Sequence, residues 1–133
     1  MLTLPWTTTG SAPLVDQPTV LAGRLPFRSL RQLLPAVWWA HRIRGQLAHT
    51  RGLAGHSLAI DFRNRTVWTV SVWTSRTSLN EFDHSAVHQG AKAGLRSQML
   101  PSTFVMWTHP GSEIPVSWPE IRARIAGATR PAS

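Results

Sequence analysis

The chain has 133 residues, of which 42% are hydrophobic and 15% charged, a balance that suits one folded domain and excludes a disordered chain. It has no cysteine, which rules out disulfides, thiolate-bound metals and thiol nucleophiles. The formal net charge is +8, but thirteen of the fourteen basic residues are arginines, scattered from Arg24 to Arg130 without a basic tail or dense stripe, so specific nucleic-acid binding is not expected.

Residues 1–17 read as an N-terminal arm rich in Thr, Pro and Gly, broken at Pro5, Gly10 and Pro13. That punctuation does not suit a secretory signal, and no apolar run approaches the roughly 20 residues of a membrane span. The expectation is a cytoplasmic protein with one domain over 18–126 and a tail over 127–133.

Thr19 to Leu25 is a short apolar run that suits a first strand, ended by Pro26. Phe27 to Thr50 reads as a helix with a start or kink at Pro35 and Gly52 as its C-terminal cap. Phased on Leu30, its apolar stripe holds Leu33, Leu34, Val37, Ala40, His41 and Arg44, with Trp38 at the edge and Trp39 on the polar side. Gly55 to Phe62 alternates as a strand, Arg63-Asn64 suits a tight turn, and Arg65 to Thr74 is the strongest strand signal, β-branched and aromatic with period two. One of its faces carries Trp68, Val70 and Val72; the other carries Val67, Thr69, Ser71 and Trp73. Ser78 and Glu81 have the spacing of a capping box, so a second helix is expected from there, with Leu79 and Phe82 on its apolar side. Ser85 offers a fresh N-cap if that helix breaks. A fourth strand is expected within Leu100–Thr108, mainly from Thr103, and a short helix over Ser117–Ala126 with Pro119 in its first turn.

This order is the α+β, ferredoxin-like split β-α-β-β-α-β arrangement, with a four-stranded antiparallel sheet and both main helices on one face. The other face, with Trp68, Val70 and Val72, is too apolar to stay in water, and a homodimer packed sheet against sheet is the simplest way to cover it.

Candidate chemistry rests on histidines. His84 and His88 are four apart on the second helix, a spacing for a general base or a metal pair. They lack the intervening Glu of a zincin motif and a nearby third ligand, so no metal site is expected, and two surface histidines remain the plainer alternative. His41 falls inside the apolar stripe, where it needs a sheet partner such as Thr69 or Ser71, or a cavity. His56 and His109, near strand ends, read as structural or exposed. Two hydroxyls beside Trp73 on the helix-covered face suit a pocket for a partly polar ligand, walled by Leu34, Val37, Trp38, Phe82 and Met106. Ordinary packing at a strand end accounts for Trp73 equally well.

The run from Ser71 to Ser97 resembles the antibiotic-biosynthesis monooxygenases of the dimeric α/β barrel superfamily. Trp73 ends the strand, Ser75 follows two residues on, and Phe82, Ser85 and His88 lie on the helix. Gly52-Leu-Ala-Gly55 and Trp68-Thr-Val-Ser-Val-Trp73 resemble, more narrowly, spheroidene-monooxygenase-like proteins. The resemblance implies a small enzyme acting on a hydrophobic aromatic, polyketide-like molecule by cofactor-independent oxygenation or cyclisation, with His88 the first candidate base and His84 and His41 next. In the haem-degrading members of the superfamily the ligating His aligns with Lys92 and an essential Asn with Gly23, so haem degradation is not implied, although haem binding by another His stays open as an alternative. A further alternative is a ligand-binding or basic surface-binding module. The first helix is basic and carries Trp38 and Trp39, as helices on anionic membranes do, but its apolar stripe is needed to cover the sheet.

Overall fold

The computed structural model describes residues 2–9, 15–47, 50–84, 86–95 and 100–129, with the side chains of 86–88, 91, 95 and 129 outside that description. Six strands, β1 (Leu2–Thr3), β2 (Thr7–Thr8), β3 (Thr19–Pro26), β4 (Leu53–Asp61), β5 (Thr66–Trp73) and β6 (Thr103–Thr108), form one antiparallel sheet. Its order is β1-β4-β5-β3-β6, with β2 also on β4. The four long strands have the ferredoxin-like arrangement. The fifth and sixth are the arm, which pairs Leu2 with Ile60 and Thr7 with His56. A free edge on β4 offers unpaired N–H and C=O groups, and the arm satisfies part of it. The Thr9 hydroxyl donates to the Leu53 carbonyl, and Ser57 Oγ donates to the Leu4 carbonyl at 2.9 Å.

Among the described residues, four α-helices complete the fold: α1 (Leu33–Leu47), α2 (Arg76–Asp83), α3 (Ala86–Leu95) and α4 (Trp118–Thr129). A 3-10 turn at Leu30–Gln32 leads into α1, with Pro35 in its first turn, where a missing N–H costs nothing. The buried stripe is not the expected one. Leu33, Ala36 and Leu47 are buried and Ile43 packs with them, whereas Leu34, Val37, Trp38 and His41 are exposed. Leu34, Val37 and His41 do keep regular α-helical spacing, but the buried stripe lies about one residue further round, because α1 has apolar residues on both sides.

The predicted second helix is two. Ser75, not Ser78, caps α2, its hydroxyl accepting from Ser78 N–H at 3.2 Å. The chain breaks at His84, and Gln89 Nε2 donates to the Asp83 carbonyl at 2.6 Å across the break. Ser85 lies outside the described residues. In the β4–β5 turn Asn64 is held by the Asp61 carboxylate, and Arg65 takes the positive φ of 53° expected near Asn64. Gly52 adopts a φ of 81°, but in the turn entering β4, where a Cβ would strike Ser78. It does not cap α1, which ends at Leu47.

Helices α1 and α2 pack on one sheet face, and α3 packs on α1 and α2. Trp39 lies on α3, filling the space over Gly90 and Gly94, so the side predicted to be polar is the helix–helix contact. A Cβ at Gly94 would come within 3.0 Å of the Trp39 indole nitrogen, whereas one at Gly45 meets nothing within 4 Å. Gly45→Ala is therefore expected to raise stability by about 0.5–1 kcal/mol, and Gly94→Ala to bring no gain, in parallel urea titrations.

The opposite face is not open. Ile121 and Ile125 of α4, fully buried with Val116, pack on Val20, Ala22, Val70 and Val72, with Trp6 and Trp118 at the margins. His109, just after β6, lies 3.6 Å from the Glu120 carboxylate of this helix. Its Nδ1 accepts from Trp107 Nε1 at 3.0 Å, which leaves the ring proton on Nε2, towards Glu113. The expectation of a sheet-to-sheet dimer rested on an uncovered face. The chain covers that face with its own C-terminal helix, so the apolar surface supplies no need for a second copy.

Candidate functional site

Strand register sets two rows of side chains on the face beneath α1 and α2. Met106, Leu21, Ser71 and His56 lie across four neighbouring strands, and Phe104, Gly23, Thr69 and Leu58 form the next row. Trp73 follows on the same face, because side chains two apart on a strand share a side. Leu21, Thr69 and Ser71 are only half-buried, so this floor is not filled by packing.

Trp73 is the fixed end of the site. It is fully buried among Leu47, Leu53 and Leu79, with its ring centroid 5.3 Å from that of Phe82. Its indole N–H donates to Ser71 Oγ at 2.8 Å. That bond occupies one lone pair of Ser71 and leaves the hydroxyl proton available to a second acceptor. Thr69 Oγ1 lies beside Gly23, where a Cβ would stand 2.9 Å from it and 2.6 Å from the Phe104 ring.

His56 is the residue that sequence reasoning passed over. It is directly cross-strand from Ser71 and is buried, with 8% exposed. Burial, aided by the nearby Arg44 guanidinium, holds its imidazole below the ordinary histidine range. At neutral pH the ring is uncharged and able to take a proton. The signal was present: His56, Leu58 and Ile60 share one parity in an alternating strand, so His56 belongs to the apolar set rather than to a strand end.

Two of the expected bases, His41 and His84, do not join this row. His41 is exposed on α1, contrary to its assignment to the core-facing stripe. His84 is exposed at the end of α2, its Nδ1 2.7 Å from the Asn80 carbonyl oxygen. His88 lies on the α3 backbone, and its side chain is outside the described residues. Of the expected pocket walls, Trp73, Thr69, Ser71 and Phe82 come together. Met106 continues the floor to the sheet edge, 39% exposed and 3.3 Å from Arg76 Nε. Leu34, Val37 and Trp38 do not, being 70%, 44% and 52% exposed on the outer side of α1. Among the described residues no group of three His, Asp or Glu side chains is placed to hold a metal. None of the described helices is long and apolar enough to cross a membrane.

A cleft of about 340 Å³ opens on the opposite face, between the arm and α4, lined by Trp6, Ser57, Val70, Pro115 and Trp118 among others. Its lining has no titratable side chain, so it can hold an apolar group but cannot move a proton.

The fold is that of the antibiotic-biosynthesis-monooxygenase-like proteins, a ferredoxin-like α+β sheet with helices. Among solved structures, the chain is similar to SnoaB, a cofactor-independent oxygenase from Streptomyces nogalater, at 14% identity and a TM-score of 0.58, over 71% of this chain and 94% of that one. It is also similar to an antibiotic biosynthesis monooxygenase-type protein from Nitrosomonas europaea, at 8% identity and a TM-score of 0.65, over 80% of this chain and all of that one. Rv0793 from Mycobacterium tuberculosis matches at 13% identity and a TM-score of 0.61, over 68% and 92% of the two chains. No family model and no curated protein matches the sequence. The narrower resemblance to spheroidene monooxygenases finds no support in these comparisons.

Proposed function

We propose that the protein is a small-molecule enzyme that oxygenates or rearranges a hydrophobic aromatic, polyketide-like substrate without an organic cofactor. The observation that carries this reading is His56: a buried imidazole beside Ser71 on a half-open floor ending in Trp73. Proton abstraction needs a base that is unprotonated at working pH and shielded from water. The carbanion or phenolate formed is stabilised by the Arg44 guanidinium, whose charge acts on His56. Ser71 donates to a substrate oxygen, and Trp73 with Phe82 walls the ring system.

For the oxygenase form of the reaction, His56 takes one proton from an activated ring methylene and the carbanion reduces dioxygen. The resulting peroxide loses water, so one methylene and one dioxygen give one carbonyl and one water. SnoaB, with the same fold, is a cofactor-independent oxygenase, which favours this form over cyclisation. The test is dioxygen uptake with a panel of phenolic tricyclic methylene compounds, in metal-free and flavin-free buffer. Uptake by the wild type and its loss in His56→Gln are expected; equal rates for the two overturn the assignment.

Haem fits the residues poorly. Lys92, at the position resembling the haem ligand, is tied to Asp83 at 2.7 Å, and the open side of Gly23 is filled by the Phe104 ring. Titration with haemin is accordingly expected to give no Soret band that saturates at one per chain. A saturable band lost in His56→Ala would instead establish a haem protein.

A further inference from the structure

Helix α1 has a second apolar face. Its inner stripe covers the sheet, which was the objection to any role in surface binding. Its outer side carries Leu30, Leu34, Val37 and Trp38, which are 56%, 70%, 44% and 52% exposed. Leu34, Val37, Trp38 and His41 fall within one narrow sector of the helix, and Leu30 in the preceding turn leads into it. Surface leucines are ordinary one at a time, but four large apolar side chains together, three on one helix and one on the turn before it, are not.

The charge around this stripe has one sign. Between Asp16 and Asp61 the sequence carries six arginines and no carboxylate. Arg28 and Arg31 are exposed before α1, and Arg42 and Arg44 are exposed on either flank of the stripe. Arg42 lies over both indoles, 5.1 Å from the Trp38 ring centroid and 5.5 Å from that of Trp39. Asp83 at the end of α2 and Lys92 on α3 neutralise each other, so that pair adds no net charge.

We propose that this face of α1 docks on an anionic lipid surface, with Leu30, Leu34, Val37 and Trp38 entering the headgroup boundary and Arg28, Arg31 and Arg42 engaging phosphates. Charge complementarity selects this occupant. A second copy of the chain would bring arginine against arginine, which is repulsive. A nucleic-acid backbone would satisfy the arginines but leave four large apolar side chains in water. A lipid boundary satisfies both, since apolar burial and attraction to acidic headgroups add. The proposal is independent of the proton chemistry at His56, which lies on the opposite side of α1.

The test is co-sedimentation of the full chain with vesicles of phosphatidylcholine, alone or mixed with phosphatidylglycerol. Binding to the mixed vesicles, little binding to phosphatidylcholine alone, and weakening at high salt are expected. Leu34→Ser with Trp38→Ser should weaken binding about tenfold or more, and Arg31→Glu about fivefold to tenfold. All three positions are exposed, so far-UV circular dichroism and the urea midpoint should match the wild type. Equal sedimentation of wild type and variants overturns the proposal. So does binding to duplex DNA in place of vesicles, or a self-association in sedimentation velocity that the Leu34/Trp38 variant abolishes.

Discussion

Trp73→Ala should cost about 3–5 kcal/mol of folding stability, the largest loss expected from any single truncation in this chain. The side chain is fully buried against Leu53, Leu79 and Phe82, and removing it leaves a large cavity and an unoccupied acceptor on Ser71. A domain of this size has roughly 5–15 kcal/mol in all, so the variant should be largely unfolded at modest urea concentrations. Trp73→Phe keeps most of the packing and loses the hydrogen bond to Ser71, and its cost should be nearer 1–2 kcal/mol. Trp38→Ala is the control. That ring is half in solvent, and its loss should stay within about 0.5 kcal/mol. Urea titrations followed by far-UV circular dichroism separate these values. A Trp73→Ala loss as small as that of Trp38→Ala would mean that the end of β5 is not packed as described.

His56→Gln carries the second large effect, on rate and on pH dependence together. Loss of a positioned base typically removes about 100-fold to 10,000-fold of the rate. The folded imidazole holds its proton less tightly than a free histidine, so the acid limb of the wild-type profile should fall below about pH 6.5. The stability consequence has a fixed sign. Because the unfolded chain binds the proton first, the full stability is present above about pH 6.5 and falls as the pH drops through that value towards the lower folded one. The thermal midpoint of the wild type should therefore decline over that window more steeply than that of His56→Gln. An unchanged rate in the variant, or identical pH slopes, would remove His56 from the site.

The order of strands and helices was legible because each long strand has a strong local pattern. β5 alternates β-branched and aromatic residues, and β3 and β6 fall close to where their apolar runs place them. Whatever depended on tertiary packing was not legible. The inward face of α1 was misjudged because the helix has apolar residues on two sides, and apolar spacing alone does not reveal which of them the sheet covers. The arm was read as separate because two-residue strands have no periodicity, and pairing with β4 alone organises them. The sheet face around Val70 looked bare because the weakly patterned α4 gave no sign of where it docks. Trp73, Thr69, Ser71 and Phe82 could be grouped from parity and helix side. His56 was missed at the same step that found them, since its own parity with Leu58 and Ile60 was not applied.

The most direct test of the site is an NMR titration of the histidine ring protons, with the His56 signal assigned by its absence in His56→Gln. The account predicts that His56 titrates below the ordinary range of about 6.5, and that its signal shifts when a phenolic tricyclic ligand is added. An ordinary titration with no response to any aromatic ligand would contradict it, because the ring would then be neither shielded nor part of a binding floor.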